Sequence, residues 1–469
     1  MKTQELVQKL WNLCHVLRDD GITYHQYVVE LTYLLFIKLL RETGQEHILP
    51  VAFRWDRLTE LKGEKLLETY SHLLTQLGAT RTGLIGEIYA GARTHIAEPR
   101  NLEKIIQAMN EGNWYSSSVE GLGDLYEGLL AKNASEKKSG AGQYFTPRPL
   151  VTLLVELMNP QVGDRCNDPA CGTFGFMIAA ERHVRALSNN YRKLSEEERL
   201  FQHQSAFSGC ELVQDTHRLA LMNAMLHGLE SQIILGDTLA VRRESQMNMD
   251  VILTNPPFGS KKGGERPARP DLPFVTSNKQ LAFIQHIYSA LRPNGSARAA
   301  VIVPDNVLFQ DNEAQKIRCD LMEKCNLHTV LRLPTGIFYA TGVHTSVLFF
   351  TRGTSDEANT QGVWFYDLRS DMPNFGKRVQ LTEQYFTDFI EAYRANDRHA
   401  IADQRWSYYS REQIRQQGDN LDLGLLHRQA LENNSDPVRL AENAIGKLEE
   451  ASRLLQELLE DLKTRRDEG

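Results

Sequence analysis

Between residues 164 and 333 short apolar runs alternate with stretches of helical periodicity. Residues 164–168, 206–210, 233–235, 251–254, 299–303 and 329–333 read as strands, and 174–187, 216–227, 280–291 and 315–325 as helices. Strands separated by helices cannot pair as hairpins, so the alternation commits this part of the chain to an α/β fold with a doubly wound, mostly parallel sheet. Two further apolar runs, 346–351 and 363–366, are expected to form an antiparallel edge, and the polar stretch 188–204 reads as an insertion loop. Sheets of this type bind ligands at the carboxyl ends of their strands, which is where function is sought.

The flanks differ in pattern. Leu6, Leu10, Trp11, Cys14 and Leu17, then Tyr27, Val28, Leu31, Leu34, Leu35 and Leu39 recur at helical spacing, broken at Asp19-Asp20-Gly21. Helical stretches at 61–77 and 101–109 continue an all-helical N-terminal domain, taken as 1–135, ending in a polar linker over 131–142. The sheet domain occupies 136–370, an irregular tail 371–434, and a C-terminal helix 435–469. In that helix Ala444, Leu448, Ala451, Leu455, Leu458 and Leu462 keep a 4-3-4-3-4 spacing, a heptad seam that either folds back on its own chain or meets a partner.

The run 250–254 ends in Asn255-Pro256-Pro257-Phe258. Proline restricts φ and the residue before it, so this turn is stiff and cannot pass at once into a helix. An Asn oxygen and the Pro256 carbonyl held there can accept both protons of an exocyclic amine, and Phe258 can stack on the ring that bears it. A proline-stopped strand is the plainer account of the same residues.

Upstream, Asp168-Pro-Ala170-Cys-Gly172-Thr173-Phe174-Gly175 lies where the first strand meets the first helix. Gly172 admits close backbone approach, and the amide end of the helix favours a carboxylate. The turn lacks the Gly-x-Gly-x-x-Gly pattern and has no phosphate-binding Lys, so a cationic ligand carrying a carboxylate fits better than a dinucleotide, with Asp168 for its ammonium or merely as a helix cap. Glu211 ends the second strand, where an acidic residue reaches ribose hydroxyls; Asp237-Thr238 follows the third, where Asp237 can accept an adenine amine or simply make a turn. Gln143-Tyr144-Phe145-Thr146-Pro147 forms a rigid lead-in able to close over a cofactor.

A net charge of -7 is that of a chain without the basic footprint that grips phosphates, so either DNA is not the substrate or another chain carries the reading surface. Six scattered cysteines without a Cys-x-x-Cys pair argue against a disulfide framework and a zinc site, and no metal is expected. Neither a secretory layout nor a membrane-length apolar run is present, so a cytoplasmic protein is expected.

The order Phe145-Thr-Pro147, Asp168-Pro-x-x-Gly172-Thr, Glu211, Asp237, Asn255-Pro-Pro-Phe258 resembles that of S-adenosylmethionine-dependent methyltransferases acting on DNA adenine. More narrowly the chain resembles, almost end to end, the modification subunits (HsdM) of type I restriction-modification systems. The segments that carry this include Leu-Trp-x-Leu-Cys14, Leu34-Leu-Phe-Ile-Lys38, Asp124-Leu-Tyr-Glu-Gly-Leu-Leu130, Thr276-Ser-Asn-Lys279, Val303-Pro-Asp-Asn-Val-Leu-Phe309 and Arg332-Leu-Pro-Thr-Gly-Ile-Phe338. Cys171 and Phe174 stand where small residues are more usual.

The resemblance implies a Rossmann-like methyltransferase sheet and S-adenosyl-L-methionine held by Gln143, Tyr144, Phe145, Thr146, Pro147, Asp168, Ala170, Gly172, Thr173, Phe174, Glu211, Asp237, Thr238 and Asn255. It implies catalysis by Asn255, Pro256, Pro257 and Phe258 on a flipped-out adenine of double-stranded DNA. A specificity subunit (HsdS) is implied to choose the site and bind two copies of the chain, with a restriction subunit (HsdR) joining for cleavage. Lys261, Lys262, Arg266 and Arg269 are candidates to touch phosphates, or else line a solvated loop. Methylation of RNA or of a protein glutamine, and an inactive cofactor-binding scaffold, remain as alternatives.

Overall fold

The structure is a computed structural model. It describes residues 8–9, 11–13, 24–79, 83–112, 114, 146–259, 269–338, 343–370, 372–373, 375–376 and 379–423. The expected helix over 124–130, the linker 131–142, Lys261, Lys262, Arg266 and the heptad seam lie outside the described residues.

The N-terminal part is helical: α1 (Tyr24–Glu42), α2 (Trp55–Glu60), α3 (Gly63–Ala79), α4 (Leu84–Ile88) and α5 (Pro99–Asn110). Their apolar positions recur every three or four residues, so α3 buries Leu66, Tyr70, Leu73, Leu74 and Leu77, and α5 buries Leu102, Ile105, Ile106 and Met109. Glu30 of α1 is wholly buried, accepting from Tyr70 Oη at 2.9 Å and from the His95 amide, and burial pushes its carboxyl up to about 7.

Then come α6 (Arg148–Met158), β1 (Cys166–Asp168), α7 (Gly175–Leu187), α8 (Glu196–Gln204), β2 (Phe207–Glu211), α9 (Gln214–Leu226), β3 (Gln232–Leu235) and β4 (Val251–Thr254). They are followed by α10 (Lys279–Ala290), β5 (Arg298–Pro304), α11 (Asn306–Phe309), α12 (Glu313–Lys324), β6 (Cys325–Arg332), β7 (Thr345–Arg352) and β8 (Gly362–Asp367). The series ends with α13 (Thr387–Arg394), β9 (Trp406–Ser410) and α14 (Arg411–Gln416). Among the described residues the strands form one nine-stranded sheet in the order β3-β2-β1-β4-β5-β7-β6-β8-β9.

Both faces of this sheet are covered, and the apolar strand residues divide between them with period two. Val251 and Leu253 belong to the core shared with α6, α7 and α9, and Ile252 to the core beneath α10 and α12. β1 pairs in parallel with both β2 and β4, so the strand order reverses between β1 and β4. That reversal opens a crevice at the carboxyl edge, flanked by Asp168 on one side and Asn255 on the other.

Four expectations change. β7 is antiparallel, but it lies between β5 and β6 rather than at an edge, and β8 runs parallel to β6. The polar stretch 188–204 is not all loop: Ser195 starts α8 with a capping box, its hydroxyl accepting from the Glu198 amide while the Glu198 carboxylate takes the Ser195 amide. The segment read as an irregular tail contains α13, α14 and β9, which pairs antiparallel with β8 and extends the sheet. Finally, the prolines of the lead-in begin a helix: Pro147 caps α6 and Pro149 occupies its first turn, where no amide partner is lost.

Candidate active site

The crevice holds a cleft of about 360 Å³ including its open mouth, lined among others by Thr146, Arg148, Asp168, Ala170, Gly172 and Asn255. Gly172 takes φ 53°, a left-handed conformation that turns the chain from β1 toward α7. Gly175 opens α7 beneath Arg148, and a Cβ there would lie 2.6 Å from the guanidinium. Thr173 is buried and also lines the cleft.

Asp168 is 2% exposed and accepts from the Ala170 amide at 3.1 Å. Burial, with Glu211 nearby, pushes its carboxyl up to about 7 against the lowering effect of that amide. A carboxylate so poorly hydrated is a receptor for a cation. Glu211 ties the second strand to the first loop, accepting from the Gly172 amide at 3.0 Å and the Val213 amide at 2.8 Å; burial raises its pKa as well. Asp237 accepts from the Leu239 amide at 2.8 Å. Glu211 and Asp237 thus stand at the ends of β2 and β3, outside the walls of the cleft.

Asn255 leaves β4 half-buried, and its Nδ2 donates to Thr146 Oγ1 at 3.0 Å. Its Oδ1 is buried with no hydrogen-bond partner among the described residues. An orphaned buried acceptor costs about 1–3 kcal/mol, so its retention at the cleft is informative. Pro256 is buried, and the Pro257 carbonyl accepts Gln280 Nε2 at 3.0 Å. The amide of Lys279 reaches the Gly259 carbonyl at 3.2 Å, so the start of α10 holds the turn on its far side. Phe258 is half-buried and meets Phe338 edge to face, centroids 6.5 Å apart at 73°.

Of the residues expected to hold a cofactor, Thr146, Asp168, Ala170, Gly172, Thr173 and Asn255 converge on the cleft. Gln143, Tyr144 and Phe145 lie outside the described residues. Pro147 is spent on capping α6. Phe174 turns away: its ring is fully buried near Gly209, where a Cβ would come within 3.1 Å of Cε2. Thr238 is buried too, its hydroxyl donating to the Pro169 carbonyl at 2.6 Å, which braces the first loop against the third.

Arg269 is not a phosphate contact. Its side chain is buried, donating to the Thr238 carbonyl at 3.2 Å and to Asp271 at 2.8 Å, and meeting His286 Nδ1 at 2.9 Å. Sequence reasoning passed over Arg148, Gln280 and Phe338. Arg148 directly follows Pro147 and Gln280 directly follows Lys279, so both sat beside motifs already noted, whereas nothing in the spacing links Phe338 to Phe258 across 80 residues of chain.

A family model described as N-6 DNA Methylase matches residues 117–434 of this chain, more than half of its length. The chain belongs to the N-6 DNA methylase family. It is 43% identical to the type I restriction enzyme StySPI methylase subunit of Salmonella potsdam, over 98% of this chain and 96% of that one. The EcoKI methylase subunit of Escherichia coli K12 is 42% identical over the same shares. The crystal structure of the EcoKI M protein is 40% identical and superposes with a TM-score of 0.55, covering 89% of each chain. A structure concerned with complex assembly and conformational transition of the type I system covers 99% of each chain at 27% identity and a TM-score of 0.75.

The chain is therefore an adenine-specific DNA methyltransferase of the type I restriction-modification kind, with a Rossmann-like sheet. RNA and protein glutamine are set aside as substrates by that membership. Among the described residues no helix is long and apolar enough to cross a membrane, and no group of His, Cys, Asp or Glu is arranged to hold a metal.

Proposed function

We propose that the chain methylates the N6 amine of an adenine rotated out of duplex DNA, as the modification subunit of a complex whose specificity subunit selects the base. The observation that carries this is the orphaned Oδ1 of Asn255 at the cleft. An amine conjugated to a purine ring is a poor nucleophile. Asn255 Oδ1 and the Pro256 carbonyl each accept one of its protons, drawing the nitrogen lone pair out of the ring; Thr146, by taking Asn255 Nδ2, keeps the oxygen turned toward the substrate.

The residues of the cleft fit the methionine part of S-adenosylmethionine, Asp168 for the ammonium and Arg148 with the amide end of α7 for the carboxylate. Beyond its walls Glu211 at the end of β2 suits the ribose and Asp237 after β3 the adenine amine. When bound, that molecule supplies a methyl group on a sulfonium. A stacked base is out of reach of such a cleft, and rotating it out costs a few kcal/mol. Phe258 returns about 1–3 kcal/mol by stacking, with Phe338 as the second aromatic wall. Positioning then supplies much of the acceleration.

A net charge of -7 fits a subunit that leaves the reading of sequence to another chain. The proposal extends to two copies of this chain on one specificity subunit, docked through the C-terminal seam, and to a restriction subunit joining for cleavage.

The test is labelled-methyl transfer to DNA by the full chain with its specificity partner, paired with long-read detection of modified adenines in the host with and without the gene. Asn255→Ala and Phe258→Ala are expected to abolish transfer and to bind S-adenosylmethionine as the parent does. Normal turnover of intact duplex by either variant would refute the roles assigned.

A further inference from the structure

Phe338 follows β6 on a segment whose ends are gathered by one guanidinium. Arg369 Nε donates to the Leu333 carbonyl at 3.0 Å, just past β6, and Nη2 to the Thr345 carbonyl at 2.8 Å, at the start of β7. The same group faces Asp305, with Nη2 at 2.9 Å from Oδ1 and Nη1 at 2.7 Å from Oδ2. Asp305 in turn accepts from Ser346 Oγ at 2.8 Å, and its amide donates to the His344 carbonyl at 2.9 Å. With 11% exposure for the Arg369 side chain and 13% for Asp305, water screens these bonds little. Between Leu333 and Phe338 the chain also presses on the segment after β8: a Cβ on Gly336 would lie 2.1 Å from the Phe375 carbonyl.

Arg369 does not line the cleft. Its reach into the site runs from Leu333, which it holds, along the chain to Phe338, which meets Phe258 edge to face. We propose that Arg369 is a positioning residue for methyl transfer: by bridging the Leu333 and Thr345 carbonyls, opposite Asp305, it sets where Phe338 stands and thereby how firmly a rotated-out adenine is held. This rests on the reading of Phe258 and Phe338 as walls of the base pocket. A planar fork suits this arrangement, because Leu333, Thr345 and Asp305 are reached from Nε, Nη2 and Nη1, three nitrogens spread over a guanidinium that the single nitrogen of an ammonium does not reproduce.

The test uses the full chain with its specificity partner and a duplex bearing the sequence found methylated in the host. Arg369→Lys keeps a charge opposite Asp305 and loses the fork. It is expected to stay folded with a melting temperature a few degrees below the parent's, and to bind S-adenosylmethionine normally. On intact duplex it should lose roughly 10- to 100-fold in kcat/KM. A duplex with 2-aminopurine at the target position should fluoresce less with the variant than with the parent. The loss should shrink when the target adenine faces an abasic site, because most of the unpairing cost is then gone.

Asp305→Asn, which keeps the shape and one acceptor, is the milder second variant and should move the same readouts in the same direction. Equal losses on both duplexes, unchanged turnover on intact duplex, or a loss of cofactor affinity would each overturn the role. Phe338→Ala is run alongside. If it leaves turnover and fluorescence intact, the base-pocket reading itself fails, and the proposal falls with it.

Discussion

Asp168 and Asn255 face each other across the switch point as a poorly hydrated acid and an unsatisfied amide oxygen. Both are destabilising where they stand, and the proposed ligands would relieve both, an ammonium beside Asp168 and an amine donating to Asn255 Oδ1. For Asp168 this has a pH consequence. Its carboxyl is pushed up to about 7 in the free protein, and an ammonium binds the ionised form. Below about pH 7 binding must expel a proton, so S-adenosylmethionine affinity should fall about tenfold per unit as the pH drops and level off above it. Titration calorimetry over that range checks this, with Asp168→Asn expected to flatten the profile; a pH-independent affinity in the parent counts against it. Arg269 shows the opposite economy, being wholly spent on Thr238, Asp271 and His286. Arg269→Ala should cost about 2–4 kcal/mol of stability in denaturant unfolding and leave the salt dependence of DNA binding unchanged.

At the scale of elements, the helical lobe is pinned to the sheet domain by α9. Arg218 is 6% exposed, donating to the Ile88 carbonyl at 2.6 Å and the Ala90 carbonyl at 2.9 Å, with its guanidinium 5.2 Å over the Tyr33 ring. Arg218→Ala should therefore speed hydrogen exchange selectively over 83–97; protection there equal to the parent's would show that the lobe docks by other means. A smaller effect belongs to α8. Ser195→Ala removes a capping box and should cost about 1 kcal/mol, read by thermal unfolding.

Elements differ in how legible they were. β4 and β5 are apolar on both faces because helices cover both, so their runs stood out. α8 has only Gln202 buried, and a polar helix offers no periodicity to read. β9 is a short strand at the sheet edge with one buried residue, Trp406, and it joins the sheet only because β8 offers it a partner.

For the molecule as a whole, charge and topology point the same way. A chain of net charge -7 should bind duplex DNA weakly by itself, and with a basic specificity partner the affinity should rise and fall steeply with added salt. Gel-shift titration at two salt concentrations tests this; tight binding by the isolated chain would contradict it.

The alternation of strand and helix, the Asp168 to Gly175 turn and the stiff Asn255 to Phe258 turn are local properties, set by hydrophobic period and by proline and glycine geometry, and the sequence alone determined them. Which side chains face the cleft was decided by tertiary structure. Phe174 lies inside the same motif as Gly172, which lines the cleft, yet turns into the interior; Thr238 after β3 is buried on the Pro169 carbonyl, and Arg269 is drawn inward by partners 31 and 17 residues away. The pairing of Phe258 with Phe338, and the hold of Arg369 on Leu333 and Thr345, likewise join residues far apart in the chain. The physical reason is that side-chain direction at a strand end depends on which neighbour removes it from water, and such neighbours are distant in the chain.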